Sequence, residues 1–102
     1  MKNWVELIDG IEKWADSRGI TTYSTAQAQL LKAVSEMGEL CDAEIKGDED
    51  ASMDGVGDVI VCLIIYCQMR QYPFQGCVFQ AYEEIKNRKG KMVAGGAFVK
   101  DE

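Results

Sequence analysis

The stretch AVSEMGELCDAEIKGDEDASMDGVGDVI, residues 33–60, decides the fold. Gly47 lies at its centre, and two pairs of acids stand on either side at nearly matched distances. Glu36 mirrors Asp58, and Glu39 mirrors Asp54. Ala26 to Lys46 and Ala51 to Gln71 read as helices folded back on each other about Gly47, which sets Glu36 opposite Asp58 and Glu39 opposite Asp54. Glu36 with Glu39, and Asp54 with Asp58, also share a helix face at spacings of three and four. Four carboxylates converging beside an apolar run repel one another and lose solvation. They call for a compensating charge, and a hard divalent cation such as Mg²⁺ prefers oxygen ligands. The competing reading is two acidic faces turned to solvent.

The first of these two, the second helix of the chain, begins near Ser24 or Thr25, where Ser24 and Gln27 form a capping-box pattern. It carries two stripes. Leu30, Val34, Met37, Cys41 and Ile45 make an apolar one, expected to face the core, and Gln29, Lys32, Glu36 and Glu39 make a polar one. The third helix contains VIVCLIIYC, residues 59–67, a β-branched run that also suits a buried strand. Helix is favoured because the pattern runs unbroken from Ala51 to Gln71 without proline and no partner strand offers itself. A helix apolar nearly all round needs cover on several sides, which predicts a second subunit.

The first helix reads from Trp4 to Ser17, with Asn3 and Glu6 as its cap, Gly19 as its stop, and Trp4, Ile8, Ile11 and Ala15 as its core stripe. A fourth, Phe74 to Lys89, follows the break at Tyr72 and Pro73 and presents Cys77, Val78, Ala81, Tyr82 and Ile85 inward. Residues 90–102, with turn glycines at Gly90, Gly95 and Gly96, read as a flexible arm containing one extended piece, AFVK. The expectation is a single all-α domain over residues 1–102, with a central antiparallel helical hairpin.

Composition narrows the chemistry. The 102 residues carry 17 acids against 11 bases, a net charge of −6, which disfavours DNA or RNA as partner because that binding draws on excess Lys and Arg. There is no histidine, so a Ser/His triad, a Cys/His dyad and His-ligated zinc are excluded. Any base is a carboxylate, Lys, Tyr or metal-bound water. Cys41, Cys62, Cys67 and Cys77 lack CxxC spacing and read as buried thiols in a reducing cytoplasm. The apolar run Val59 to Cys67 is short for a membrane span, and MKNWVELIDG lacks a signal peptide's apolar stretch. A cytoplasmic protein without membrane contact is expected.

These residues together resemble the MazG-like all-α nucleoside triphosphate pyrophosphohydrolases, in particular the short single-domain type of phages and their bacterial hosts. Lys32, Glu36 and Glu39 match the family's Lys and Glu-Glu-x-x-Glu run, and Gly57-Asp58-Val59 matches its second acidic motif. WADSRGI, Gln29 and the closing EIKNRKGKMVAGGAFVK extend the likeness over most of the chain. Ser35 stands where the family has the first Glu of its run. Gly55 stands where it has the Glu three residues before the last Asp, and Asp54 precedes it.

The resemblance implies a four-helix domain assembled as an oligomeric bundle, a dimer or tetramer. It implies Mg²⁺-dependent, or Mn²⁺-dependent, cleavage of a nucleoside triphosphate between its α and β phosphates. Glu36, Glu39, Asp54 and Asp58 would then be the metal ligands, with Glu36 or Glu39 as catalytic base. Lys32, Gln29, Arg88 and Lys91 would contact substrate; for Lys32 a salt bridge to Glu36 competes, and for the basic segment a role at the helix end. Trp4, Trp14 and Tyr23 are unranked candidates for a base wall. Two other readings stand beside this one, a phosphoribosyl-ATP pyrophosphatase-like enzyme and a non-catalytic helical interaction module.

Overall fold

The computed structural model describes residues 1–102. Its elements are α1 (Trp4–Ser17), α2 (Ile20–Tyr23), α3 (Ala26–Lys46), α4 (Glu49–Arg70), α5 (Phe74–Ile85), β1 (Gly90–Met92) and β2 (Phe98–Lys100). The all-α expectation holds for the body of the chain, with five helices where four were expected.

Caps set the limits of the central hairpin. The Thr25 hydroxyl accepts from the Ala28 N–H at 3.1 Å and starts α3, while Ser24 turns to Gln29. α3 stops at Gly47, whose φ of 71° is the left-handed region that glycine enters without steric cost. Asp48 then caps α4 by accepting from the Ala51 N–H at 3.0 Å, two residues earlier than the sequence reading placed the helix start. Glu49 and Asp50 in the first turn suit the positive end of the helix dipole.

The two long helices meet where Gly55 faces Leu40. A Cβ built on Gly55 would lie 3.1 Å from the Leu40 Cβ, so only glycine allows this approach without displacement. Ala26, Gln29, Ala33 and Ala43 are buried on α3, and Gly55, Val59, Cys62, Ile64, Ile65 and Cys67 on α4. Small residues on one helix and branched ones on the other make the seam. α1 lies across α4 and buries Ala15. Its start is capped by Asn3, which accepts from the Glu6 N–H at 2.9 Å and donates to the Glu6 carboxylate at 2.8 Å.

Several expectations are corrected, and α5 ends at Ile85, short of Lys89, with Cys77 exposed where a buried thiol was expected. The stripe Leu30, Val34, Met37, Cys41 and Ile45 is exposed, because α3 turns its alanine and Gln29 face toward α4. The run Val59 to Cys67 is buried or half-buried throughout in the single chain, so the uncovered apolar surface lies outside it: on α3, at Met53 and Val56 of α4, on part of α1, and on α5, where Val78, Phe79, Tyr82 and Ile85 are exposed. The C-terminal arm is an antiparallel hairpin, with Gly90 paired to Lys100 and Met92 to Phe98 about a turn at Gly95 and Gly96. By length and a mean hydropathy of 1.4, α4 could cross a bilayer, a property that the nine-residue run alone did not suggest. Here it is the core helix.

Candidate functional site

The Leu40–Gly55 contact fixes the register of the hairpin, and helical periodicity does the rest. Counting from that contact, Glu36, Glu39, Asp54 and Asp58 fall on one flank of the α3–α4 seam, while Met37, Cys41, Ile45 and Val56 fall on the other. α1 and α2 roof the first flank. The left-handed turn at Gly19, φ 78°, reverses the chain after α1 and begins α2, which delivers Ile20 and Ser24 to the same place.

The result is a pocket of about 390 Å³ lined by Gln29, Lys32 and Glu36 of α3, Asp58, Val61, Cys62 and Ile65 of α4, and Trp14, Ile20 and Ser24. Its two ends differ. Lys32, Glu36 and Asp58 form a charged end, and Trp14, Ile20, Val61 and Ile65 an apolar one. Gln29 is buried in the lining and donates to the Ser24 hydroxyl at 3.1 Å, so it ties α3 to the end of α2.

The electrostatics show that the acids feel one another. The Glu36 carboxyl is raised above the ordinary glutamate value, first by its hydrogen bond with Glu39, then by desolvation and by the charges of Glu39 and Asp58; Lys32 opposes the shift. Burial pushes the Cys62 thiol up, with Lys32 pulling down and Glu36 and Asp58 adding to the rise. Lys32 is thus near Glu36 without being locked to it. The ion pairs of the chain are Lys13–Asp9 and Lys86–Glu83, both elsewhere.

Of the residues expected in the site, Gln29, Lys32, Glu36 and Asp58 line the pocket, and Glu39 joins it through Glu36. Asp54 is exposed one turn before Asp58 and does not line it. No three acids or thiols stand in metal-ligating geometry. Arg88 and Lys91 sit beyond α5, exposed, and do not reach this pocket within the chain. Among the aromatic candidates Trp14 is the one at the pocket; Trp4 meets Phe74 edge-on at 6.1 Å, and Tyr23 points to solvent. Ile20, Ser24 and Cys62 were missed. Cys62, four residues after Asp58, was readable from helical spacing, but the approach of α2 was not.

Oxygen donors dominate the charged end, a chemistry that suits a hard divalent cation. The raised Glu36 follows first from its hydrogen bond with Glu39, then from desolvation and the neighbouring like charges.

The chain is similar to an "uncharacterized 18.2 kDa protein in rep-hol intergenic region" of Haemophilus phage HP1, with 38% identity over 65 residues, which is 64% of this chain and 40% of that protein. This chain therefore matches less than half of that relative's length. No family model matches the sequence. No solved structure matches it.

Proposed function

We propose that the chain is a divalent-cation-dependent nucleoside triphosphate pyrophosphohydrolase of the MazG-like type, releasing pyrophosphate from a nucleoside triphosphate and leaving the monophosphate. The observation that carries this reading is the meeting of Glu36, Glu39, Asp58 and Lys32 beside an apolar recess walled by Trp14. A triphosphate has the same two-part character, a charged tail and a flat base.

Glu36, Glu39 and Asp58 would hold Mg²⁺ or Mn²⁺, with Asp54 as a fourth acid. Such a cation would neutralise triphosphate charge and make water more acidic. Lys32 supplies the cationic contact to the phosphates, its ammonium left free by the lack of an ion pair with Glu36. Glu36 or Glu39 takes the proton of the attacking water. Trp14, about half exposed, offers a ring face for stacking, and Gln29, held by Ser24, offers a polar edge. Arg88 and Lys91 would act on the site of a second copy.

The bare apolar flank supports a homo-oligomer. Full burial of one such side chain contributes about 1.5–3 kcal/mol, against about 0.5–1.5 kcal/mol for ordering a side chain at an interface. The same flank also favours the rival reading, a non-catalytic helical interaction module. A panel of common and modified dNTPs and NTPs, together with phosphoribosyl-ATP, scored for Mg²⁺-dependent pyrophosphate release separates the readings. Turnover of a dNTP or NTP supports the proposal, preference for phosphoribosyl-ATP moves the chain to the histidine-pathway class, and silence across the panel leaves the interaction module.

A further inference from the structure

Residues 74–102 form a helix and a hairpin with almost no cover. α5 packs lightly on α4, Phe74 meets Trp4 edge-on at 6.1 Å, and every residue from Gln75 to Glu102 is exposed. β1 and β2 pair with each other and no helix backs them. A two-stranded hairpin left alone in water is marginal, so this arm calls for a surface to lie on. The dimensions of the whole chain agree. Its radius of gyration is 16.3 Å, against about 13 Å for a compact domain of this length.

The arm carries an apolar face, and the body carries a recess to match it. Val78, Tyr82 and Ile85 recur at spacings of four and three along α5 and, with Phe79, are more than half exposed. Met92 and Phe98, paired across the hairpin, are exposed as well. The groove on the apolar flank of α3 and α4, about 690 Å³, is lined by Met37, Leu40, Cys41, Ile45, Met53 and Val56, and no residue of the arm contributes to it. Within one chain the two stay apart: α5 follows the Arg70 end of α4, and Val56 lies about 20 Å back along that helix.

Charge agrees with this pairing. From Lys86 to Lys100 the arm holds five bases and no acid, whereas residues 1–73 hold 13 acids against 6 bases. Glu44 lines the groove, and Glu49 stands with Glu44, Ser52 and Met53 at its turn end.

We infer that the arm of one copy seats in the α3–α4 groove of a second copy, with the apolar face of α5 on Ile45, Met53 and Val56 and the basic segment toward the acids that border the groove. The exchange is reciprocal about a two-fold axis, so each copy gives one arm and receives one. This specifies the contact within the homo-oligomer of the proposed reading and does not rest on its nucleotide chemistry.

The test compares the native chain with Tyr82→Asp on the arm and Met53→Asp in the groove, each followed by light scattering over a range of concentrations. Tyr82 is 56% exposed and Met53 75%, so the helical circular dichroism of both variants should stay native. The native chain should be a dimer, and each variant alone should dissociate about tenfold more readily or worse. An equimolar mixture of the two variants should recover dimers, because one copy keeps a native groove, the other keeps a native arm, and the mixed pair has one intact contact. A monomeric native chain would overturn the inference and remove the homo-oligomer with it. A Tyr82→Asp dimer as tight as the native one, or a mixture that forms no more dimer than its components do separately, would overturn the inference while leaving an oligomer held by another surface.

Discussion

The two flanks of the α3–α4 hairpin are opposites made from the same helices. One carries Gln29, Lys32, Glu36 and Asp58 and is roofed by α1 and α2; the other carries Met37, Leu40, Cys41, Ile45, Met53 and Val56 and is a bare groove of about 690 Å³. Hydrophobicity alone predicts the reverse, with the apolar flank covered first. Val34 is 70% exposed and Ile45 84%, so burial within the chain is not what this stripe is shaped for. Exposed apolar patches of this kind mark interaction surfaces. The chain covers its charged flank itself and leaves the uniform apolar flank open.

The sharpest way to break this contrast is to remove one charge from the polar flank. Glu39→Gln should lower cation-dependent turnover by about a hundredfold or more, the scale expected for loss of a group acting on developing charge, with helical circular dichroism unchanged. Full activity in that variant would end the assignment of this flank.

The seam itself comes next. Gly55→Val places a branched side chain against Leu40, whose Cβ a new Cβ would already approach to 3.1 Å. Overpacking of this kind costs about 1–3 kcal/mol, readable as a lower urea midpoint with an unchanged slope. A neutral result would mean that the helices separate here without loss. A cation should act in the opposite direction: Mg²⁺ should raise the melting temperature of the native chain more than that of Asp58→Asn, and equal shifts would place binding elsewhere.

On the apolar flank the expected effect is on assembly. Val34→Asp should leave the melting temperature of the single chain nearly unchanged, since the residue is exposed, while light scattering reports a smaller particle than the native chain gives. Loss of folding in a monomer of unchanged size would instead make Val34 a core residue.

The smallest effect is that of pH. Because the Glu36 pKa is raised in the folded state, that state binds more protons than the unfolded one between the ordinary glutamate value and the raised one. Stability of the cation-free chain therefore falls as pH rises through that interval. Glu36→Gln should flatten this part of the melting profile. A native profile rising through the same window would mean that other carboxylates dominate.

Much of this was legible in the sequence, for identifiable reasons. Gly47, Asn3 with Glu6, and Gly19 announce helix ends through local hydrogen bonds and permitted φ values, and the structure keeps each. The Glu36–Asp58 register was readable because a hairpin with a short turn leaves little freedom. Which flank would be covered was not, since that depends on where α1 and α2 pack. Gly55 shows the limit well. In sequence it is a departure from an acidic motif; in the fold it packs against Leu40 of α3 with little room for a side chain. The β-hairpin was hidden because Gly90-Lys91-Met92 has no alternation long enough to read as a strand.

The claim that the polar flank is a cation-dependent site is tested most directly by titrating Mn²⁺ into the isotopically labelled chain and following which amide signals its paramagnetism broadens first. The account predicts early loss at Lys32, Glu36, Glu39 and Asp58, with Ile45 and Met53 affected later. Earliest loss around the acidic turn at Asp48, Glu49 and Asp50, or uniform broadening along the chain, would contradict it.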